Sequence, residues 1–118
     1  MNIIEYCRPW IEDALQYGGG THTFEDVAER ILDGRLQLWP AEDACAVTEI
    51  IIFPRKKTIH VFLAGGKMET ILDMIDSAVA WGKEQGCTGM TIAGRHGWKR
   101  VLDKYGYKPV LTVLEKPM

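Results

Sequence analysis

Glu49 and His60 are the two side chains of this 118-residue chain best suited to proton transfer. A glutamate takes a proton directly or through water, and a histidine titrates near neutral pH. They lie on neighbouring segments rich in β-branched residues. By the two-residue strand period, Glu49 shares a face with Val47, Ile51 and Phe53, while Thr48, Ile50 and Ile52 point the other way. That places its carboxylate on a largely apolar face, where it is poorly solvated. The plainer alternatives are a solvated, edge-proximal glutamate and a half-buried histidine with its hydrogen bonds satisfied. Tyr105 and Tyr107 offer phenolic acids, although Tyr107 also suits a core position. Cys45 has no helix start or sequence-local cation beside it to stabilise a thiolate, so it is a poor nucleophile. The single serine, Ser77, falls inside a helical pattern rather than on an exposed elbow, which argues against serine-hydrolase chemistry.

Composition narrows the field further. The three cysteines, Cys7, Cys45 and Cys87, are odd in number and widely spaced. They form neither a disulfide framework nor a zinc-ligand pattern, so no metal site is expected. With 47% hydrophobic and 25% charged residues, the chain is too apolar for disorder. A net charge of -2 argues against a general nucleic-acid binder. No apolar run approaches the roughly 20 residues of a membrane helix, and no basic-then-apolar leader is read. A single-domain, soluble, cytoplasmic protein spanning 1–118 is expected.

The elements that must position these side chains follow from periodicity. Ile3, Cys7, Trp10 and Ala14 form a helical stripe, with Pro9 either starting or kinking that helix and Gly18-Gly19-Gly20 ending it. Thr23 and Asp26 are placed as caps for a second helix, whose apolar side is Phe24, Val27, Ala28 and Ile31 and whose stop is Gly34. From Arg35 the period changes. Short strands at 36–40, 44–53 and 58–64, joined by links too short to cross over, predict an antiparallel meander. Gly65-Gly66 leads into a long helix over 67–85, then a strand at 88–93, a short helix at 96–104 and a final strand at 107–116. A right-handed crossover makes the strands at 58–64 and 88–93 parallel neighbours. The expected fold is α/β, with a mixed sheet and helices on both faces. An unpaired edge at the last strand would favour a homodimer.

That order of elements resembles the GNAT acyltransferase fold over most of the chain from Thr23 to Glu115. The best local match is TGMTIAGRHGWKRVLDKYGY, Thr88–Tyr107. It looks like the strand and helix that lead to the family's Gly-aromatic turn. The segments LQLWP, VTEI and GRHGW also resemble small GNAT-like proteins encoded by phages and prophages. The resemblance implies acetyl-CoA as cofactor, with its pyrophosphate held by backbone amides at the start of the long helix, here Gly65, Gly66, Lys67 and Met68. The positive end of the helix dipole suits an anion. It also implies a small-molecule or protein amine as acceptor, with Glu49 or His60 as base and Tyr105 as acid. Arg95, where an asparagine often stands, and the basic residues His96, Lys99, Arg100 and Lys104 would meet the cofactor's ribose phosphate, a nucleic-acid backbone, or only solvent. Several features depart from the family pattern. LAGGKMET is a shortened version of the family loop, and Leu102 occupies the position of the usual acid tyrosine. No first strand is visible, and only one C-terminal strand remains. The implied activities are therefore two: N-acetyl transfer by direct attack of an amine, or a phage-type interaction or assembly component without catalysis.

Overall fold

A computed structural model of the chain describes residues 2–94 and 96–118, with the backbone alone at His96. Helix α1 is Ile3–Leu15 and α2 is Phe24–Leu32. Three strands follow, β1 (Gln37–Pro40), β2 (Ala44–Ile52) and β3 (Lys57–Gly66). Helix α3 (Met68–Glu84), strand β4 (Gly89–Ile92) and helix α4 (His96–Asp103) complete the order.

Local chemistry explains the first two helices. The Asn2 side chain caps α1 by accepting from the amides of Ile4 and Glu5. The helix runs on through Pro9, which gives up one backbone donor. Burial of Ile4, Cys7 and Ile11 along one stripe holds it. Thr23 and Asp26 form a reciprocal capping box on α2. Hydrogen bonds from the Thr23 backbone and side chain lower the Asp26 carboxyl below its ordinary range.

The sheet order is β1-β2-β3-β4. The meander β1–β2–β3 is antiparallel and β3–β4 is parallel, as the short links and the crossover require. The β2–β3 hairpin closes with the Phe53 amide donating to Lys56 O at 2.8 Å. That bond sets the register, from Ile52 opposite Lys57 inward. The register shifts at Val47/Thr48, because β3 carries an extra residue, Phe62, between Val61 and Leu63. One face of the sheet packs on α1 and α2 through Cys7, Ile11, Val27, Cys45, Val47 and Leu63. The other packs on α3 through Ala44, Ala46, Ile71 and Ile75, and through Ile59 with Ala78. Helices cover both faces.

One expectation fails. The predicted final strand, 107–116, is not a strand: residues 108–118 are exposed and in no regular element. The alternating pattern is there, but a strand exists only where a neighbour takes its ladder hydrogen bonds. Strand β3 also runs past its predicted end, so that Gly65 and Gly66 lie inside it.

Candidate functional site

Glu49, His60 and Thr91 stand abreast on three adjacent strands. Glu49 is directly opposite His60, and His60 is opposite Thr91. By strand alternation they share the face that carries α1, where Val47 and Cys45 are buried. His60 Nδ1 lies 2.7 Å from Thr91 Oγ1. Burial pushes the imidazole below its ordinary value, and the nearby Glu49 charge opposes that shift. The two expected bases are thus brought together, and the structure adds Thr91 as the group that orients the ring. Neither the Glu49–His60 pairing nor Thr91 was legible in the sequence: the turn expected at 54–57 sets Glu49 opposite Phe62, whereas the observed closure pairs Ile52 with Lys57, and nothing in the sequence fixes a parallel register. Next along the face, the rings of Phe62 and His22 meet edge to face at 4.9 Å, bringing the α1–α2 loop over the bulge.

Beyond the bulge the sheet opens. The last β3–β4 pair is Val61 with Ile92, followed by one bond from the Ala93 amide to Val61 O at 3.2 Å. β3 continues to Gly66, whereas β4 has ended. The resulting wedge leads to the start of α3. The Lys67 amide is spent on Asp43 O at 3.0 Å. Those of Met68, Glu69 and Thr70 have no intrahelical acceptor, and no side chain caps the helix. This end of α3 can receive an anion, although the Glu69 carboxylate in its first turn opposes one.

The glycine pair has a structural reason of its own. A Cβ at Gly65 would lie 2.8 Å from Trp10 O, so this glycine lets α1 approach β3. At Gly66, with φ +106°, a Cβ would lie 2.4 Å from Asp43 O. The signal that suggested a cofactor loop is therefore explained by packing, and the uncapped amides just after it are the better anion donors.

The remaining candidates are scattered. Tyr105 is 61% exposed, just past the end of α4. Tyr107 is half-buried beside Met90, Ile92 and Trp98, and burial raises its phenol. Leu102 is buried. Cys45 and Cys7 are buried free thiols in hydrogen-bonding contact, and burial pushes Cys45 far above a reactive range. Arg95 lies outside the described residues. Among the described residues no group of acidic, histidine and cysteine side chains could hold a metal ion. Nor is any helix long and apolar enough to cross a membrane.

No protein-family model and no curated sequence matches the chain. Solved structures do. A tetramutant of a Bacillus halodurans protein superposes with a TM-score of 0.71 at 10% identity, over 99% of this chain and 97% of that one. A predicted acetyltransferase from Clostridium acetobutylicum, solved with acetyl-CoA, gives 0.70 at 16% identity, over 97% of this chain and 91% of its own. Glucosamine-6-phosphate N-acetyltransferase from Arabidopsis thaliana gives 0.64 at 17% identity, over 97% and 92%. At these identities the likeness is one of fold.

Proposed function

We propose that this chain, which has the GNAT fold, is an acyl-CoA-dependent N-acetyltransferase acting on an amine. The observation that carries the reading is the wedge between β3 and β4, which opens between two chemically suited ends. At one end are the uncapped amides of α3. At the other, on the same strands, is the Glu49–His60–Thr91 row.

In this reading the amides of Met68, Glu69 and Thr70 hold the pyrophosphate, with the Lys67 amine available beside them. Acetyl-CoA would supply a thioester whose carbonyl carbon an amine attacks directly, the C–S bond breaking and CoA leaving as a thiolate protonated from solvent, without a covalent enzyme intermediate. His60 takes the proton that the amine must lose. In the tautomer whose Nδ1–H donates to Thr91 Oγ1, the lone pair sits on Nε2, and burial keeps the ring neutral near pH 7. Glu49, opposite, stabilises the imidazolium that forms. Tyr105, as placed, is not assigned the acid role.

Titration calorimetry with acetyl-CoA, with free CoA as comparison, tests the donor site. Met68→Pro is the informative variant. It deletes one amide at the first helical position, where proline is tolerated, after Lys67 in an extended conformation (ψ 126°) that suits a following proline. Loss of one charge-assisted bond, about 1.5 kcal/mol, should weaken binding roughly tenfold, with Met68→Ala near wild type. His60→Gln and Glu49→Gln should keep binding and lose transfer. No binding at millimolar acetyl-CoA would sink the proposal and leave the non-catalytic interaction role.

A further inference from the structure

The tip of the β2–β3 hairpin carries side chains that neither the core nor the candidate site uses. β1 pairs with β2 only as far as Thr48, and β4 begins opposite Thr58. The hairpin therefore runs past both neighbouring strands before it closes at Phe53–Lys56. At this protruding end Ile52 is 76% exposed and Phe53 is 47% exposed. Strand alternation sets the two on opposite sides of the hairpin, and Pro54, also exposed, follows them into the turn. The hairpin thus ends in an apolar point that stands in water.

The charges beside that point are all of one sign. Arg55, Lys56 and Lys57 are three cations in a row, on a chain whose net charge is -2. Lys57 is occupied, since its amine donates to Gln85 O and caps the end of α3. Arg55 and Lys56 are exposed, and among the described residues neither has an ion-pair partner. Cations at a hairpin tip protect an edge and aid solubility by themselves. They give no reason for an isoleucine and a phenylalanine left in water next to them. An apolar point flanked by unpaired cations fits a surface with anionic groups outside and an apolar phase beneath. Nucleic acid offers the anions without the apolar phase.

We propose that this tip docks the protein on an anionic lipid bilayer, with Ile52 and Phe53 entering the interface while Arg55 and Lys56 meet the lipid phosphates. The contact is peripheral and needs no spanning helix. β3 runs ten residues from Lys57 to Gly66, about 30 Å at the rise of a strand. The start of α3 therefore lies at the far end of the sheet from the tip, and docking leaves it facing the aqueous phase, where a soluble cofactor reaches it. That last consequence rests on the proposed acetyltransferase site; the docking does not.

Co-sedimentation of the full chain with phosphatidylcholine vesicles containing about 30% phosphatidylserine tests docking independently of activity. The chain should pellet with these vesicles but not with pure phosphatidylcholine, and less as salt is raised. Arg55→Gln combined with Lys56→Gln should weaken partitioning roughly thirtyfold. Ile52→Ser combined with Phe53→Ser should weaken it roughly tenfold or more. Far-UV circular dichroism should be unchanged in both; the glutamine pair removes no apolar contact, so it keeps the test decisive if the serine pair folds poorly. No pelleting at millimolar lipid would overturn the proposal. So would equal pelleting of wild type and both variants, which moves the contact to another surface such as the exposed residues 110–114. Binding to polyglutamate but not to vesicles would also overturn it, making the partner an acidic protein.

Discussion

Replacing Gly66 by alanine should cost a substantial part of this domain's margin of stability. The position has φ +106°, which a side-chain-bearing residue adopts at a cost of about 1–3 kcal/mol. The new Cβ would also sit 2.4 Å from Asp43 O and 2.5 Å from Ala44 Cα. Both obstacles are backbone, and neither can move freely. Ala44 is the ladder partner of Gly66, and Asp43 O accepts the Lys67 amide at 3.0 Å. Relieving the overlap costs about 1–3 kcal/mol for overpacking, plus about 1 kcal/mol if that hydrogen bond breaks. The reduced freedom of the unfolded chain returns about 0.4–1 kcal/mol. The net loss is roughly 3 kcal/mol or more, against a typical total of about 5–15 kcal/mol. Urea denaturation followed by fluorescence reads it as a fall in midpoint of about 1–3 M. Gly65→Ala, crowding Trp10 without a positive φ, should lose less, about 1–2 kcal/mol. Gly89→Ala, with nothing within 4 Å of the new atom, is the control near wild type. If Gly66→Ala lies within about 1 kcal/mol of wild type, the packing argument is refuted, and the glycine must be explained by a ligand instead.

Three further outcomes are expected. Thr58 is 1% exposed and its hydroxyl has no partner among the described residues, so Thr58→Val should raise stability by about 1 kcal/mol in the same urea experiment; a loss would mean that the hydroxyl is satisfied after all. His60 has its folded value below the unfolded 6.5, so the unfolded chain takes the proton first as pH falls. Stability should be complete above about pH 6.5 and decline below it until the folded value is passed, and His60→Gln should flatten that decline; equal acid sensitivity in both would refute the assignment. Finally, with all three thiols buried, a thiol-reactive probe should label the native chain only through unfolding, at a rate that rises with urea. Rapid labelling of folded protein would contradict the burial of Cys7 and Cys45.

What the sequence determined by itself is whatever rests on near neighbours. The Thr23–Asp26 capping box, the stop at Gly34 and the 3.6-residue stripes of α1 and α3 are bonds and contacts between residues a few positions apart. The meander and the parallel crossover follow from link lengths and chain handedness, so the fold was legible without coordinates. The partner of Glu49 was not among these: the turn expected at 54–57 would set it opposite Phe62, and only the observed closure at Phe53–Lys56 sets it opposite His60. Tertiary structure alone decided the rest, because each of those features needs a partner from elsewhere in the chain. Thr91 reaches His60 only through the parallel register of β4. Gly65 and Gly66 look like a ligand loop until Trp10 and Asp43 are seen against them. The residues after Tyr107 have the composition of a strand, yet lie exposed because no backbone runs beside them. A helix carries its hydrogen-bond partners within itself; a strand, a close-packed glycine and a polar row across a sheet borrow theirs from distant sequence.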